Sequence, residues 1–141
     1  MNKHIHSYPI PTICDYCDSS VVLSSNAEIY GKEYGSGKCY RCTSCDAYVG
    51  VHKGTVIPYG RLADKELRDL KMECHKLFDP AWINNKWNSR QQAYGKLATL
   101  LEVPIEKCHF GFFDRDTLKY CLEIMSDEKW YIGVEWKKDV A

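Results

Sequence analysis

The pattern of apolar positions changes character near residue 61. Before it, apolar residues come in short runs and alternations: Val21-Val22-Leu23, then Ala27, Ile29 and Tyr30 beyond Ser24-Ser25-Asn26, and Tyr48-Val49-Gly50-Val51 after Cys42 and Cys45. Such runs, broken by turn-forming residues, predict short antiparallel strands: residues 21–23 and 27–30 as a hairpin, and a further pair flanking the two cysteines. Residues 31–37 contain Gly31, Gly35 and Gly37 and read as a loop.

Beyond residue 61 the spacing turns helical. Ala63, Leu67, Leu70, Cys74, Leu77 and Phe78 fall on one face of a helix that closes near Asp79, ahead of Pro80. Ser89 and Gln92 have capping-box spacing and open a second helix through Tyr94, Leu97, Ala98 and Leu101, which stops before Pro104. Asp114 is placed to cap a third, with Leu118, Cys121, Leu122 and Met125 inward. At the end, Trp130, Ile132, Val134 and Trp136 alternate, which predicts a terminal strand.

Composition narrows the possibilities. The chain has 141 residues, enough for one ordinary domain or two small ones, and its 45% hydrophobic content excludes a disordered polymer. Nineteen Lys+Arg balance nineteen Asp+Glu, so no whole-protein field gathers polyanions, and any nucleic-acid contact has to come from a local patch. Residues 62–99 hold seven basic against five acidic residues, and residues 100–141 six against nine, giving a mildly basic middle and an acidic tail. Neither a leader-like apolar run before Cys14 nor a stretch of membrane-spanning length is present in the sequence. The expectation is a cytoplasmic protein without membrane contact, whose eight cysteines are reduced thiols or metal ligands rather than disulfides.

Two of the cysteine groups carry chemistry. Cys14-Asp15-Tyr16-Cys17 and Cys42-Thr43-Ser44-Cys45 each present two sulfurs from one tight turn, and the residues between them suit a hairpin that brings the turns together. Four thiolates in a tetrahedron make a closed zinc site, so Cys14, Cys17, Cys42 and Cys45 are the predicted ligands of one structural Zn²⁺. Cys39 competes, since Cys39-Tyr40-Arg41-Cys42 has the same spacing; it is assigned instead to the incoming strand. Asp18 and Asp46 follow the two pairs, where a knuckle needs a residue tolerant of left-handed backbone. The expected fold is therefore α+β: a zinc-ribbon-like β unit over residues 1–61, packed on a small helical half over 62–141 with a C-terminal strand, the two making one compact structure.

The run Ala47-Tyr48-Val49-Gly50-Val51-His52-Lys53-Gly54-Thr55, then Pro58-Tyr59-Gly60-Arg61-Leu62-Ala63, Leu67-Arg68, His75, Phe78-Asp79-Pro80 and Trp82, resembles a small zinc-finger-containing family of bacterial and bacteriophage proteins (domain of unknown function 3268). The likeness extends to Tyr30-Gly31, Tyr34-Gly35, Arg90, Ala93-Tyr94, Leu97, Cys108-His109, Gly111 and Phe113-Asp114, and covers roughly residues 14–121. It departs at Cys39 and in the last twenty residues. The resemblance implies zinc, a compact unit and a phage or prophage setting, and no activity.

Three classes of function fit these features. Lys38, Arg41, Tyr48, Lys53 and Arg61, with Lys32, Tyr34, Tyr40 and Tyr59, interleave cations and aromatics that can stack bases and neutralise phosphates; Asp64, Arg68, Lys71 and His75 line a polar stripe of the first helix, where Arg68 and Lys71 are candidates to contact phosphates or a partner's carboxylates, and His52 and His75 complete the candidate ligand- or partner-binding residues. The second class is a phage-encoded modulator that binds a host protein through aromatic surfaces and the acidic tail. The third, a nuclease-type centre of His52, Arg68, His75 and Asp79, ranks last because no recognised catalytic spacing links them. No small-molecule cofactor is implied. A second metal site from Cys74, His75, Cys108, His109 and Cys121 is disfavoured, because Cys74 and Cys121 lie on apolar helix faces. His4 and His6 share one side of an extended segment and are candidates only for adventitious metal.

Overall fold

A computed structural model describes residues 8–84 and 89–136. The chain forms two compact units, Met1–Arg68 and Asp69–Ala141.

In the first unit, strands β1 (Val21–Ser25), β2 (Lys38–Cys42) and β3 (Tyr48–Gly50) form an antiparallel sheet in chain order. The register places Val21 opposite Cys42, Leu23 opposite Tyr40, and Tyr40 opposite Val49. These side chains point to one face, where Cys14, Tyr40, Cys42, Ala47, Val49, Val51 and Leu62 make a small core. Period-two alternation puts Val22, Ser24, Cys39, Arg41, Tyr48 and Gly50 on the other face.

Residues 27–30 are not the second hairpin strand expected from the sequence but a single helical turn, α1 (Ala27–Tyr30). The reason lies in two short polar side chains. Ser25 Oγ accepts from the Ala27 amide at 3.1 Å, while the carbonyl of Asn26 accepts from Ile29 and Tyr30. The Asn26 side chain is buried and bonds both backbone groups of Tyr34, donating through Nδ2 at 2.8 Å and accepting through Oδ1 at 3.0 Å. Asn26 thus pins the glycine-bearing loop, and β1 takes its partner from beyond that loop. Strand formation around Cys42 and Cys45 agrees with the sequence reading.

Helix α2 (Lys65–Phe78) starts where the Asp64 carboxylate accepts from the Leu67 amide at 2.9 Å. Leu67, Cys74 and Phe78 of its predicted apolar face are buried, whereas Leu77 is exposed. Residues 63–68 are tied to the sheet unit, Ala63 bridging Tyr48 through both backbone groups.

In the second unit, α3 (Pro80–Ile83) begins at Pro80 because proline suits the first turn of a helix. Helices α4 (Arg90–Leu101) and α5 (Arg115–Met125) carry the predicted caps: Ser89 Oγ accepts from the Gln92 amide at 3.2 Å, and Asp114 Oδ1 from the Thr117 amide at 2.9 Å. Phe78 is the hub of this core, with Tyr94 at 4.3 Å, Phe110 edge-on at 5.4 Å and Trp130 stacked at 6.0 Å. The predicted terminal strand does not form within the described residues. Backbone bonds from Trp130 to Asp127, Ile132 to Lys129 and Val134 to Tyr131 coil the segment into successive turns. Trp130 enters the core, and the Trp136 ring lies on Gly95, where an added Cβ would stand 2.0 Å from it.

Candidate metal centre

Each knuckle is built by its own backbone. In the first, the Cys14 amide donates to the Ser19 carbonyl at 2.8 Å and the Asp18 amide to the Cys14 carbonyl at 2.9 Å, so the chain folds back on itself within five residues. Closing that loop requires φ +61° at Asp18, the left-handed conformation anticipated there. In the second, the Cys42 amide donates to the Ala47 carbonyl at 2.9 Å. Asp46 is not left-handed, contrary to expectation; among the described residues only Asp18 and Glu102 are non-glycine residues with positive φ. The Asp46 backbone and carboxylate are instead bound by Arg68.

The sheet then brings the turns together, because Cys42 ends β2 opposite Val21, and the first knuckle leads into β1 through the Ile13–Ser20 bridge. The sulfurs of Cys14, Cys17, Cys42 and Cys45 all lie within 4.8 Å of one another. Cys14 and Cys45 are 3.6 Å apart, and Cys17 and Cys42 3.4 Å. With zinc–sulfur bonds of about 2.3 Å, the edge of a tetrahedron of sulfurs is about 3.8 Å, so this donor set fits one Zn²⁺. Zinc would hold both knuckles at once and, with four thiolates around it, would leave no position for substrate.

The amides of the knuckles aim at sulfur. Cys42 Sγ accepts from the Cys45 and Ser44 amides at 3.3 Å each, and Cys14 Sγ from the Tyr16 amide at 3.4 Å. Donation from the Cys45 amide outweighs burial and, with Ser44 and the Cys17 thiol, pulls the Cys42 thiol down to about 6. The Ala47 amide favours the Cys45 thiolate, yet burial and the neighbouring thiols of Cys14, Cys42 and Cys17 push Cys45 up to about 12. Burial likewise raises Cys14. Metal-free, the cluster therefore favours a mixture of thiol and thiolate; a divalent cation removes the conflict by neutralising the charge.

Cys39 is 1% exposed and points to the opposite face, level with Ser24 and Gly50, so it takes no part in the cluster. Its thiol is pushed up by burial. The residues predicted as partner contacts divide into two sets. Arg41 is occupied, pairing with Glu28 and donating to Ser24 Oγ at 3.1 Å. Arg68 donates to the Asp46 carbonyl at 2.9 Å and the Ala63 carbonyl at 2.7 Å, meets the Asp46 carboxylate at 3.4 Å, and lies 4.2 Å over the Tyr48 ring. Tyr40 is buried, with its hydroxyl on the Val56 carbonyl. Arg61 and Lys71 are half-buried. Lys38 and Lys53 are exposed, as are Lys32, Tyr34 and Tyr59; the half-buried His52 meets Tyr59 edge-on at 4.6 Å. The Asp46–Arg68–Tyr48 lock had no signature in the sequence, because nothing local links residues so far apart.

The polar stripe on α2 is not a single surface: Arg68 is bound to the sheet unit, while His75 packs edge-on against Phe110 at 4.9 Å in the second unit. Desolvation there lowers the His75 pKa despite the opposing charge of Asp79. Asp79 accepts from Trp82 Nε1 at 3.2 Å. His52, Arg68, His75 and Asp79 thus have separate packing or bonding roles. Cys74, Cys108 and Cys121 are buried and pushed up to about 12 by that burial, as small apolar side chains rather than ligands. Among the described residues the four-cysteine cluster is the one group that fits a metal ion. His4 and His6 lie outside the described residues.

No helix among the described residues is long and apolar enough to cross a membrane. A family model for a zinc-finger-containing domain, domain of unknown function 3268, matches residues 10–128. No curated protein and no solved structure matches the chain.

Proposed function

We propose, from the premise that this chain belongs to that zinc-finger-containing family, that it is a non-catalytic zinc module binding nucleic acid through the loops around its metal centre. The observation that carries this reading is the separation of the cations into two sets. Arg41 and Arg68 are held by acids within the unit, whereas Lys32 and Lys53 in the loops and Lys38 at the start of β2 are exposed, in a unit that also exposes Tyr34 and Tyr59. Between residues 30 and 61 the sequence has five cations and two acids, a local surplus of three in a chain that is neutral overall. A saturated four-thiolate site supplies architecture rather than a Lewis acid, which favours binding over hydrolysis. The same reading places the protein in a reducing compartment such as a host-cell cytoplasm, where thiolates stay available for zinc, and the phage setting implied by the resemblance belongs with it.

The test is fluorescence anisotropy of labelled DNA and RNA with the zinc-loaded chain across a salt series. Three lysines on phosphates predict a slope of about −2 in log K against log salt. An absence of binding at low salt would exclude the reading. Exposed Ile10, Ile13, Val22 and Leu23 in the sheet unit favour a second reading, a protein partner such as a component of host machinery. Its signature is capture of one defined partner that survives nuclease treatment.

A further inference from the structure

The face of the sheet opposite the small core carries a row of aromatic rings. Gly50 of β3 has no side chain, and the Tyr59 ring fills the space, lying 3.2 Å from where a Cβ would be. Tyr48 stands on the same face two residues earlier, so the Tyr48 and Tyr59 positions are about 7 Å apart along the strand. Tyr48 is sandwiched by Arg68 at 4.2 Å and meets Tyr30 edge-on at 6.0 Å; Tyr30 in turn meets Tyr34 edge-on at 5.5 Å, and Lys32 sits 5.2 Å over Tyr34. The Tyr30 hydroxyl donates to that of Tyr48 at 3.2 Å, which fixes the pair. Tyr59, Tyr30 and Tyr34 are 52%, 47% and 52% exposed, although each is held in place by a neighbour.

Resting on the nucleic-acid reading above, we propose that this face is a stacking platform for single-stranded nucleic acid, with Tyr59 and Tyr34 taking bases and Lys32 and Lys53 taking phosphates. Bases in a duplex are stacked about 3.4 Å apart and hide their faces, so exposed rings on this surface stack only on bases that have been separated. The helical turn α1 on this face has four residues, too short to read a major groove. With a cation surplus of three, the phosphates alone give weak binding, and ring stacking, which tolerates every base, supplies the rest.

The experiment uses the zinc-loaded full chain with a labelled oligothymidine of about twelve nucleotides and a duplex of equal length, at low salt. Single-strand binding should exceed duplex binding. Tyr59→Leu, which keeps an apolar cover on Gly50, and Tyr34→Ala should each weaken single-strand binding about tenfold or more, while Tyr59→Phe leaves it unchanged. Zinc content of one per chain in each variant shows that the unit is still folded. Equal affinity for strand and duplex, or tyrosine variants that bind like the parent, would overturn the platform and leave the broader nucleic-acid reading standing. Binding to neither form would overturn both.

Discussion

Removing zinc should unfold the first unit and spare the second. The four sulfurs stand 3.4 to 4.8 Å apart, and two thiolates at about 3.5 Å repel by roughly 5 kcal/mol at an effective dielectric of about 20. Without a cation, some of the thiolates must therefore take up protons or the knuckles must separate. Little else resists separation, because the unit's core consists of seven buried residues, two of which are ligands. A core in a chain of that size supplies about 3–5 kcal/mol, against an apparent 10–16 kcal/mol for a structural zinc site. The assay is amide hydrogen exchange with and without a strong chelator, with metal removal verified by elemental analysis. Amides of β2 and β3 should lose their protection. Tryptophan emission should persist, because Trp82, Trp87, Trp130 and Trp136 all follow Arg68 and none belongs to the first unit. Cys14→Ser and Cys45→Ser should reproduce the chelated pattern. Retained protection of Tyr40 and Val49 in verified metal-free protein would refute the claim that zinc holds this sheet together.

Cys39→Ser should leave one zinc per chain and cost about 1–2 kcal/mol in the denaturation midpoint of the sheet unit, since it puts a hydroxyl in a buried thiol's place. Equal metal loss in that variant would reassign the ligands. Arg68→Ala removes bonds to two carbonyls and a cation–ring contact, so it should destabilise the same unit by about 1–3 kcal/mol with zinc stoichiometry unchanged. Gly95→Ala places a methyl 2.0 Å from the Trp136 ring and should shift indole emission to the red as that ring is displaced, with little change in α4. The buried thiols of Cys74, Cys108 and Cys121, held near 12, stay protonated in the folded chain while an unfolded thiol ionises near 9. The unfolded state then binds fewer protons, so the second unit should lose stability as pH rises from 9 toward 12, at up to ~1.4 kcal/mol per pH unit for each thiol. Cys108→Ala should make the decline in its melting midpoint measurably shallower.

The sequence by itself determined what a few neighbouring residues decide. Two C-x-x-C turns identified the metal and its chemistry, because both sulfurs of a pair come from one short loop whose amides are set by the turn. Ser89 and Asp114 marked helix starts, since a cap bonds an amide three residues away. The helical faces were legible for the same reason, as periodicity is a local property. Only the tertiary structure decided which segment pairs with β1: residues 27–30 had the composition of a strand, but Asn26 and Ser25 gain more by bonding the loop and the helical turn. It also decided between Cys39 and Cys42: alternation along β2 puts the two sulfurs on opposite faces, but which face is turned to the first knuckle depends on cross-strand pairing. The alternating tail coiled instead of extending, because a strand needs a partner, whereas Trp130 found burial against Phe78. The outer row of tyrosines arose in the same way, from a glycine and a ring on one strand and rings arriving from a helical turn and two loops.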